Sequence, residues 1–215
     1  PDKRAAWSAP VALDDVKRIG RALGGTVNDV LLSAVSGALR GTLLDAGEEP
    51  FDVRVAVPVS LREPSEMEEL GNRFGLVFLD LPVTIAGPQG RFRELKRRMD
   101  ALKGSPEAIL LFRLMQIAGG GPRWVEELLV WILGAKTTAV MTNVPGPREP
   151  RYLAGGRIRT IMFWVPQAGR VGVGVSIFSY AGEVRLGLNA DARALPDPER
   201  VLERFALEIE ALRVT

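Results

Sequence analysis

Two short segments of this 215-residue chain carry the residue types best suited to hold a substrate. Asn28 and Asp29 follow Thr26 at the start of a run with helical apolar spacing, so they fall in the first turn of a predicted helix. The second segment, Asn143-Val144-Pro145-Gly146-Pro147, predicts a loop stiffened by two prolines that could hold backbone groups near a bound molecule. The first segment therefore offers Asn28 and Asp29 as candidate site residues.

Asp29 also has a structural explanation that needs no substrate. Thr26 and Asp29 have the spacing of a capping box, in which each side chain bonds the backbone N–H of the other residue. A carboxylate in the first turn is further favoured by the helix dipole. The functional alternative is that Asp29 braces the wall of a site from behind, and the residues alone leave both interpretations open.

The chain lacks the residues on which most enzymatic catalysis depends. It has no histidine and no cysteine, which excludes an imidazole general base, a thiolate nucleophile and metal sites built on either group. Gly119-Gly120-Gly121 lacks the Gly-Lys-Ser/Thr ending of a phosphate loop, and the Gly-x-Ser-x-Gly motif of a serine nucleophile is absent. An enzyme made from this chain alone would have to use Asp, Glu, Lys, Tyr or a metal held by oxygen ligands, and no such group of residues stands out in the sequence, so we predict no metal site and name no catalytic residue.

Charge excludes one class of partner. The 28 basic and 26 acidic side chains leave a net charge of +2, and both signs are interspersed along the chain. A protein that binds nucleic acid presents a basic face to the phosphates. We therefore predict no nucleic-acid partner.

The hydrophobic pattern switches repeatedly between the strand and helix periods. Strands are predicted over 51–61, 74–83, 137–142 and 157–165, and a hairpin joins 171–180 to 183–190 around Ala181-Gly182. Helices are predicted over 14–23 with Asp14 as cap, from Thr26 onward, over 89–102, 109–117 and 124–133, and from Pro196 to the end. This alternation predicts an α/β two-layer sandwich with a mixed, largely antiparallel sheet.

Two of the predicted helices, 109–117 and 124–133, are strongly apolar. Neither approaches the roughly 20 apolar residues of a membrane span, so a buried helical hairpin is the first interpretation. The alternative is a lipid-contacting surface, because Trp124 and Trp131 share one helical face and the basic helix 91–103 could meet anionic headgroups.

Six short segments taken in order resemble one protein family. The sequence from about Trp7 to Leu212 is similar to the C-terminal half of the bacterial wax ester synthase/acyl-CoA:diacylglycerol acyltransferase family. The segments that carry the resemblance are 25–30 (GTVNDV), 57–62 (VPVSLR), 70–73 (LGNR), 142–147 (TNVPGP), 152–156 (YLAGG) and 179–182 (SYAG). The resemblance implies one half of a chloramphenicol acetyltransferase-like two-domain fold, with the substrate channel between the halves.

In that family the catalytic signature His-His-x-x-x-Asp-Gly lies in the N-terminal half, where the second histidine deprotonates the acceptor hydroxyl. This chain begins at Pro1 and has no histidine, so we expect residues 1–215 to be a single C-terminal domain that is inactive alone. The expected partner is the N-terminal catalytic half, as a companion chain. The family's Asn-Asp motif matches Asn28 and Asp29, which implies a role in ordering the catalytic region. The resemblance also implies that the segment 143–147 approaches the substrate channel. The candidate substrate-binding or site-supporting residues are then Asn28, Asp29, Asn143, Pro145 and Gly146.

The resemblance implies an O-acyltransferase that moves a long acyl group from acyl-CoA to diacylglycerol or to a fatty alcohol. Acyl-CoA is then a substrate, and no cofactor is required. The rival hypotheses are a non-catalytic module that binds lipid or a partner, and a condensation enzyme that uses a carrier-protein thioester. The expected location is the cytoplasm, with peripheral contact at the inner face of the plasma membrane or at lipid droplets.

Overall fold

A mixed β-sheet forms the centre of the computed structural model, which describes residues 2–60, 74–103, 137–167 and 171–213 and positions 105, 106, 110, 113, 114, 122, 123 and 134. The strands are β1 (Lys3–Trp7), β2 (Val11–Ala12), β3 (Val53–Ser60), β4 (Phe74–Leu81), β5 (Ala139–Pro145), β6 (Tyr152–Leu153), β7 (Gly156–Arg157), β8 (Val173–Tyr180) and β9 (Glu183–Asp191). The main sheet has the order β1-β9-β8-β5-β3-β4, and β2 also pairs with β9. Strands β3, β5 and β8 run parallel, whereas the other pairs are antiparallel. The predicted mixed α/β fold is confirmed.

The described helices pack on one face of this sheet as a second layer. They are α1 (Leu13–Ala22), α2 (Val27–Asp45), α3 (Pro88–Lys103) and α4 (Pro198–Arg213). Alternate strand residues such as Val55, Leu79 and Ile177 point into this layer and are at most 1% exposed. Burial of each such side chain contributes about 1.5–3 kcal/mol to the stability of the fold. The apolar residues at every second strand position therefore hold the sheet against the apolar faces of the helices.

Two local predictions at the chain's turns are confirmed. Gly24 adopts a positive φ of 70° just after α1, as predicted for a helix-terminating glycine. Ala181 and Gly182 both have positive φ, 48° and 85°, which is the geometry of a tight two-residue turn between β8 and β9.

Two predicted helix starts are wrong by one or two residues. Helix α1 begins at Leu13, because the pairing of β2 with β9 keeps the backbone extended through Ala12 and the Leu13 N–H bonds the Gly182 carbonyl. Asp14 therefore lies inside the first turn instead of capping it. Helix α4 begins at Pro198, since the Asp197 carboxylate accepts a hydrogen bond from the backbone N–H of Arg200 and so caps the helix.

Two predicted strands also differ from the structure. Strand β5 extends through Pro145, so Asn143 and Pro145 belong to a strand paired with β8 and not to a loop. In the range 157–165, only Arg157 belongs to a strand, β7. The rest has no ladder partner because side chains satisfy its backbone: Asn189 donates to the Val165 carbonyl and Tyr180 to the Ile158 carbonyl.

Helix α3 uses most of its positive charge within the fold. Five of its basic side chains, Arg91, Lys96, Arg97, Arg98 and Lys103, form ion pairs with carboxylates, and Arg91 is only 1% exposed. This leaves little free charge for the lipid headgroups considered above. The predictions for 109–117 and 124–133 lie largely outside the described residues. Among the described helices, no single one is long and apolar enough to cross a bilayer.

Candidate functional site

The first turn of α2 is built by the predicted capping box. The Asp29 Oδ2 atom accepts hydrogen bonds from the Thr26 N–H and the Thr26 hydroxyl, both at 2.8 Å. In return, the Thr26 hydroxyl accepts the Asp29 N–H at 3.2 Å. Because these bonds fix the start of the helix, the neighbouring Asn28 is held in place at the helix surface.

The carboxyl end of β5 meets this helix start. The Asn143 side chain donates a hydrogen bond from Nδ2 to Asn28 Oδ1 at 3.1 Å, joining two residues that are 115 positions apart. Both side chains are amides, so the pair keeps further donor and acceptor capacity on the remaining atoms. The carboxyl ends of parallel strands in an α/β sheet are the usual place for a ligand site.

Gly146 allows β5 and β8 to close together just beyond this pair. Its N–H donates to the Ser179 carbonyl at 2.9 Å and to the Ser179 hydroxyl at 3.3 Å. A Cβ at position 146 would lie closer than 3.0 Å to the Ser179 carbonyl oxygen and to the Phe178 ring. The motif therefore needs glycine at this position for close backbone approach.

Tyr180 anchors the segment that follows the proline motif. Its hydroxyl, on a side chain only 6% exposed, accepts the Arg151 N–H at 2.7 Å and donates to the Ile158 carbonyl at 2.9 Å. The Ala181 N–H also donates to the Pro147 carbonyl at 3.0 Å. The turn at 181–182 and the proline motif consequently form one rigid rim.

These elements enclose a cleft of about 610 Å³ at the carboxyl ends of β5 and β8. Four of the five predicted residues line it: Asn28, Asn143, Pro145 and Gly146. Asp29 does not, since it is fully buried behind the cleft wall in the capping box. The structure thus places the two segments singled out in the sequence at one site, with Asp29 as a support.

The charged groups of the cleft lie at its rim. Lys17 forms an ion pair with Asp14 at 2.9 Å, and this hydrogen bond lowers the pKa of the Asp14 carboxyl. Arg148 lines the opposite side. Its guanidinium forms no ion pair or hydrogen bond with any described residue. A free guanidinium at the rim is suited to an anionic group of a ligand.

The lining residues suit binding better than proton transfer. The described walls combine the amides of Asn28 and Asn143 with the apolar side chains of Leu31 and Val184, and the carboxylate of Asp14 is already paired. This combination can orient a polar group and cover an apolar chain.

Sequence reasoning missed several lining residues. Ser179 and Tyr180 were noted only as part of a resemblance, and Leu13, Lys17 and Arg148 carried no local signal. The local signals for this rim were the predicted turn at Ala181-Gly182 and the proline motif.

Comparison with known proteins gives the family of the chain. The profile of the WS/DGAT C-terminal domain matches residues 70–213. Proteins of Mycobacterium bovis and Mycobacterium tuberculosis, both named as diacylglycerol O-acyltransferases, are 34% identical over 202 residues. The alignment covers 91% of this chain and 44% of each relative, so the chain spans less than half the length of these relatives.

Solved structures share the fold. The wax ester synthase/diacylglycerol acyltransferase of Marinobacter aquaeolei has a TM-score of 0.73 at 21% identity, over 99% of this chain and 49% of that protein. The first condensation domain of the CDA synthetase has a TM-score of 0.58 at 16% identity, over 99% of this chain and 45% of that one. The matched profile, the relatives and the shared fold agree, and the chain belongs to the WS/DGAT C-terminal domain family.

Proposed function

We propose that this chain forms the C-terminal part of an acyl-CoA-dependent O-acyltransferase that acts on diacylglycerol or a long-chain alcohol. The observation that carries the proposal is the cleft itself, in which Asn28, Asn143, Pro145 and Gly146 meet although they come from distant segments. The names of the mycobacterial relatives support the reaction class. The absence of histidine from the sequence supports a division of labour, with the base supplied by an N-terminal half.

In the proposed reaction, a histidine of that half removes the proton of the acceptor hydroxyl. The oxygen then attacks the thioester carbonyl, a C–O bond forms, the C–S bond breaks, and the proton passes to the departing CoA thiolate. Residues of this chain bind and orient. The amides of Asn28 and Asn143 hold polar groups near the reacting centre, and Arg148 offers its charge to the phosphates of CoA.

The same proposal includes the architecture around the reaction. Residues 1–215 act as one domain against the N-terminal half, acyl-CoA is a substrate, and no further cofactor takes part. The domain is inactive alone because the histidine base belongs to the other half, and the carboxylate among the described residues of the cleft, Asp14, is already paired with Lys17. Two rivals make different predictions: a non-catalytic module binds lipid without turnover, and a condensation enzyme prefers an acyl carrier protein to acyl-CoA.

We also propose a cytoplasmic protein that contacts the inner face of the plasma membrane peripherally. The support comes from the hairpin β6–β7, which follows the cleft rim directly. Its tip exposes Tyr152 and Leu153, at 65% and 76%. Four exposed arginines lie close to this hairpin in the sequence, and none of their guanidinium groups bonds a described residue; they are Arg148, Arg151, Arg157 and Arg159. Exposed apolar side chains flanked by free positive charge suit an anionic bilayer surface.

A pair of matched arginine variants tests the function. We expect Arg148→Ala in the complete protein to raise KM for acyl-CoA about tenfold and to leave kcat nearly unchanged. The tenfold change corresponds to the loss of roughly one charge-assisted hydrogen bond to the substrate. The control is Arg193→Ala, an exposed arginine outside the cleft, which leaves both constants unchanged. The proposal is refuted if the complete protein transfers no acyl group from acyl-CoA to either acceptor. It is also refuted if the protein uses only an acyl carrier protein as the acyl donor.

A further inference from the structure

We infer that the acyl chain of the thioester substrate passes from the cleft between α2 and the sheet into a second, inner cavity. This inference rests on the proposed function, which supplies the acyl chain. The inner cavity measures about 140 Å³ and lies between α2, α4 and the amino ends of β3, β5 and β8. Within the part of the chain that the structure describes, no residue lines both spaces, so the two are separate cavities.

The two spaces lie end to end along α2 and β5. On α2, Leu31 lines the cleft and Val35, one helical turn later, lines the inner cavity. On β5, Asn143 lines the cleft and Met141 lines the inner cavity, as successive residues on one face of the strand. The Asn28–Asn143 hydrogen bond fixes the position of α2 along β5. From that bond, Val35 lies about 10 Å along the helix and Met141 about 7 Å along the strand.

On β8 and β9, a residue that lines neither space stands between the cleft and the inner cavity. On β8, Ile177 stands between Ser179 of the cleft and Val175 of the inner cavity, and it lines neither space. On β9, Leu186 has the same place between Val184 and Leu188.

Along β5 no such residue intervenes, and the barrier consists of Leu31 and Met141, each 1% exposed. Methionine is unbranched and adaptable, so a rotation of the Met141 side chain is a low-cost way to join the two spaces.

The chemistry of the inner cavity selects an alkyl chain. Its walls are mainly aliphatic side chains with Phe51 at the rim, and none of the described residues that line it is charged. Of its two threonines, Thr42 already donates its hydroxyl hydrogen to the Ala38 carbonyl at 2.9 Å. A dry apolar cavity of about 150 Å³ is large enough to hold benzene, so this one has room for roughly the last five or six carbons of a chain. A polar headgroup would find few partners there.

Ala139 is the position at which to fill the cavity. It lines the inner cavity from β5 and is 4% exposed, and isoleucine suits a strand while adding three carbons. If each lost methylene contact costs about fourfold in binding, the three added carbons of Ala139→Ile lower the ratio of kcat/KM for palmitoyl-CoA to that for octanoyl-CoA about 60-fold. Met141→Ala removes the barrier and shifts the same ratio toward the longer chain. The control is Ala5→Ile on the edge strand β1, where the side chain is exposed and the ratio stays unchanged.

The measurements use the complete protein and two readouts. Turnover gives the chain-length ratio, and calorimetric binding of palmitoyl-CoA and octanoyl-CoA without acceptor gives the same preference independently of catalysis. Shifted binding in the absence of turnover supports the inner cavity and refutes the transferase proposal. Turnover with a ratio within twofold of wild type in the variants refutes the inner cavity and leaves the transferase intact. If Ala139→Ile fails to fold, Met141→Ala decides the question by the same two readouts.

Discussion

Replacement of Asp29 separates its structural role from a catalytic one. Asp29→Ala removes two hydrogen bonds to the carboxylate, from the N–H and hydroxyl of Thr26, together with a buried negative charge at the start of α2. A lost cap costs about 1 kcal/mol, and a lost interaction with the helix dipole costs up to about 2 kcal/mol. We therefore expect a destabilisation of about 2–3 kcal/mol, which lowers the melting temperature by roughly 5–10 °C in a protein of this size.

Asp29→Asn refines the test because the amide oxygen can still accept from Thr26 while the charge is lost. We expect roughly half of the destabilisation of the alanine variant, since the cap persists and the dipole contribution does not. The control is Asp14→Ala, which removes a first-turn carboxylate of α1 that has no capping role and should leave the melting temperature nearly unchanged.

Thermal unfolding is measured on residues 1–215, and acyl transfer is measured on the complete protein that carries the same substitutions. Because Asp29 lies behind the cleft wall, we expect the activity of both variants to recover once temperature is set well below their melting points. Wild-type stability in Asp29→Ala would refute the capping explanation. A stable Asp29→Asn variant with kcat lowered a hundredfold or more would show that the charge acts on the reaction.

Three further changes test other parts of the fold. Hydrogen bonds from Arg97 and Arg98 lower the pKa of the Glu94 carboxyl from 4.5 to about 2. The ionised carboxylate therefore stabilises the fold above pH 4.5, by about 1 kcal/mol after solvent screening. This contribution is lost as the pH falls toward 2. Acid titration of Glu94→Gln should lack this component, and an unchanged pH dependence would contradict the assignment. Gly146→Ala forces β5 from β8 and should cost about 1–3 kcal/mol with reduced acyl transfer, whereas full stability would show that the strands can relax. Tyr180→Phe should cost about 1–3 kcal/mol and speed amide exchange around residues 151 and 158; unaltered exchange there would exclude Tyr180 as the anchor.

The free arginines of the hairpin give a prediction on membrane contact. Replacing Arg157 and Arg159 by glutamine should weaken sedimentation with phosphatidylglycerol vesicles about 30-fold, and Leu153→Ser should weaken it further. The control is Leu207→Ser, a leucine of α4 exposed to a similar degree, at 66%. Equal binding to phosphatidylcholine vesicles, or no effect of these variants, would exclude this hairpin as the lipid contact.

Local chemistry made part of the site predictable from the sequence. The capping box at Thr26 and Asp29 and the tight turn at Ala181-Gly182 depend on residues within a few positions, so spacing alone locates them. The Asn28–Asn143 bond was not predictable in this way, because it depends on the parallel register of β5 with β8 and on the packing of α2. The segment after Arg157 was mistaken for a strand because its apolar pattern fits one. Its hydrogen bonds instead go to the side chains of Asn189 and Tyr180, which are distant in sequence.

The most direct test of the account is ester formation from radiolabelled palmitoyl-CoA and diacylglycerol or hexadecanol, measured for the complete protein and for residues 1–215 alone. The account predicts labelled triacylglycerol or wax ester with the complete protein and none with the histidine-free chain. Ester formation by residues 1–215 alone, or no ester from either preparation, would contradict it.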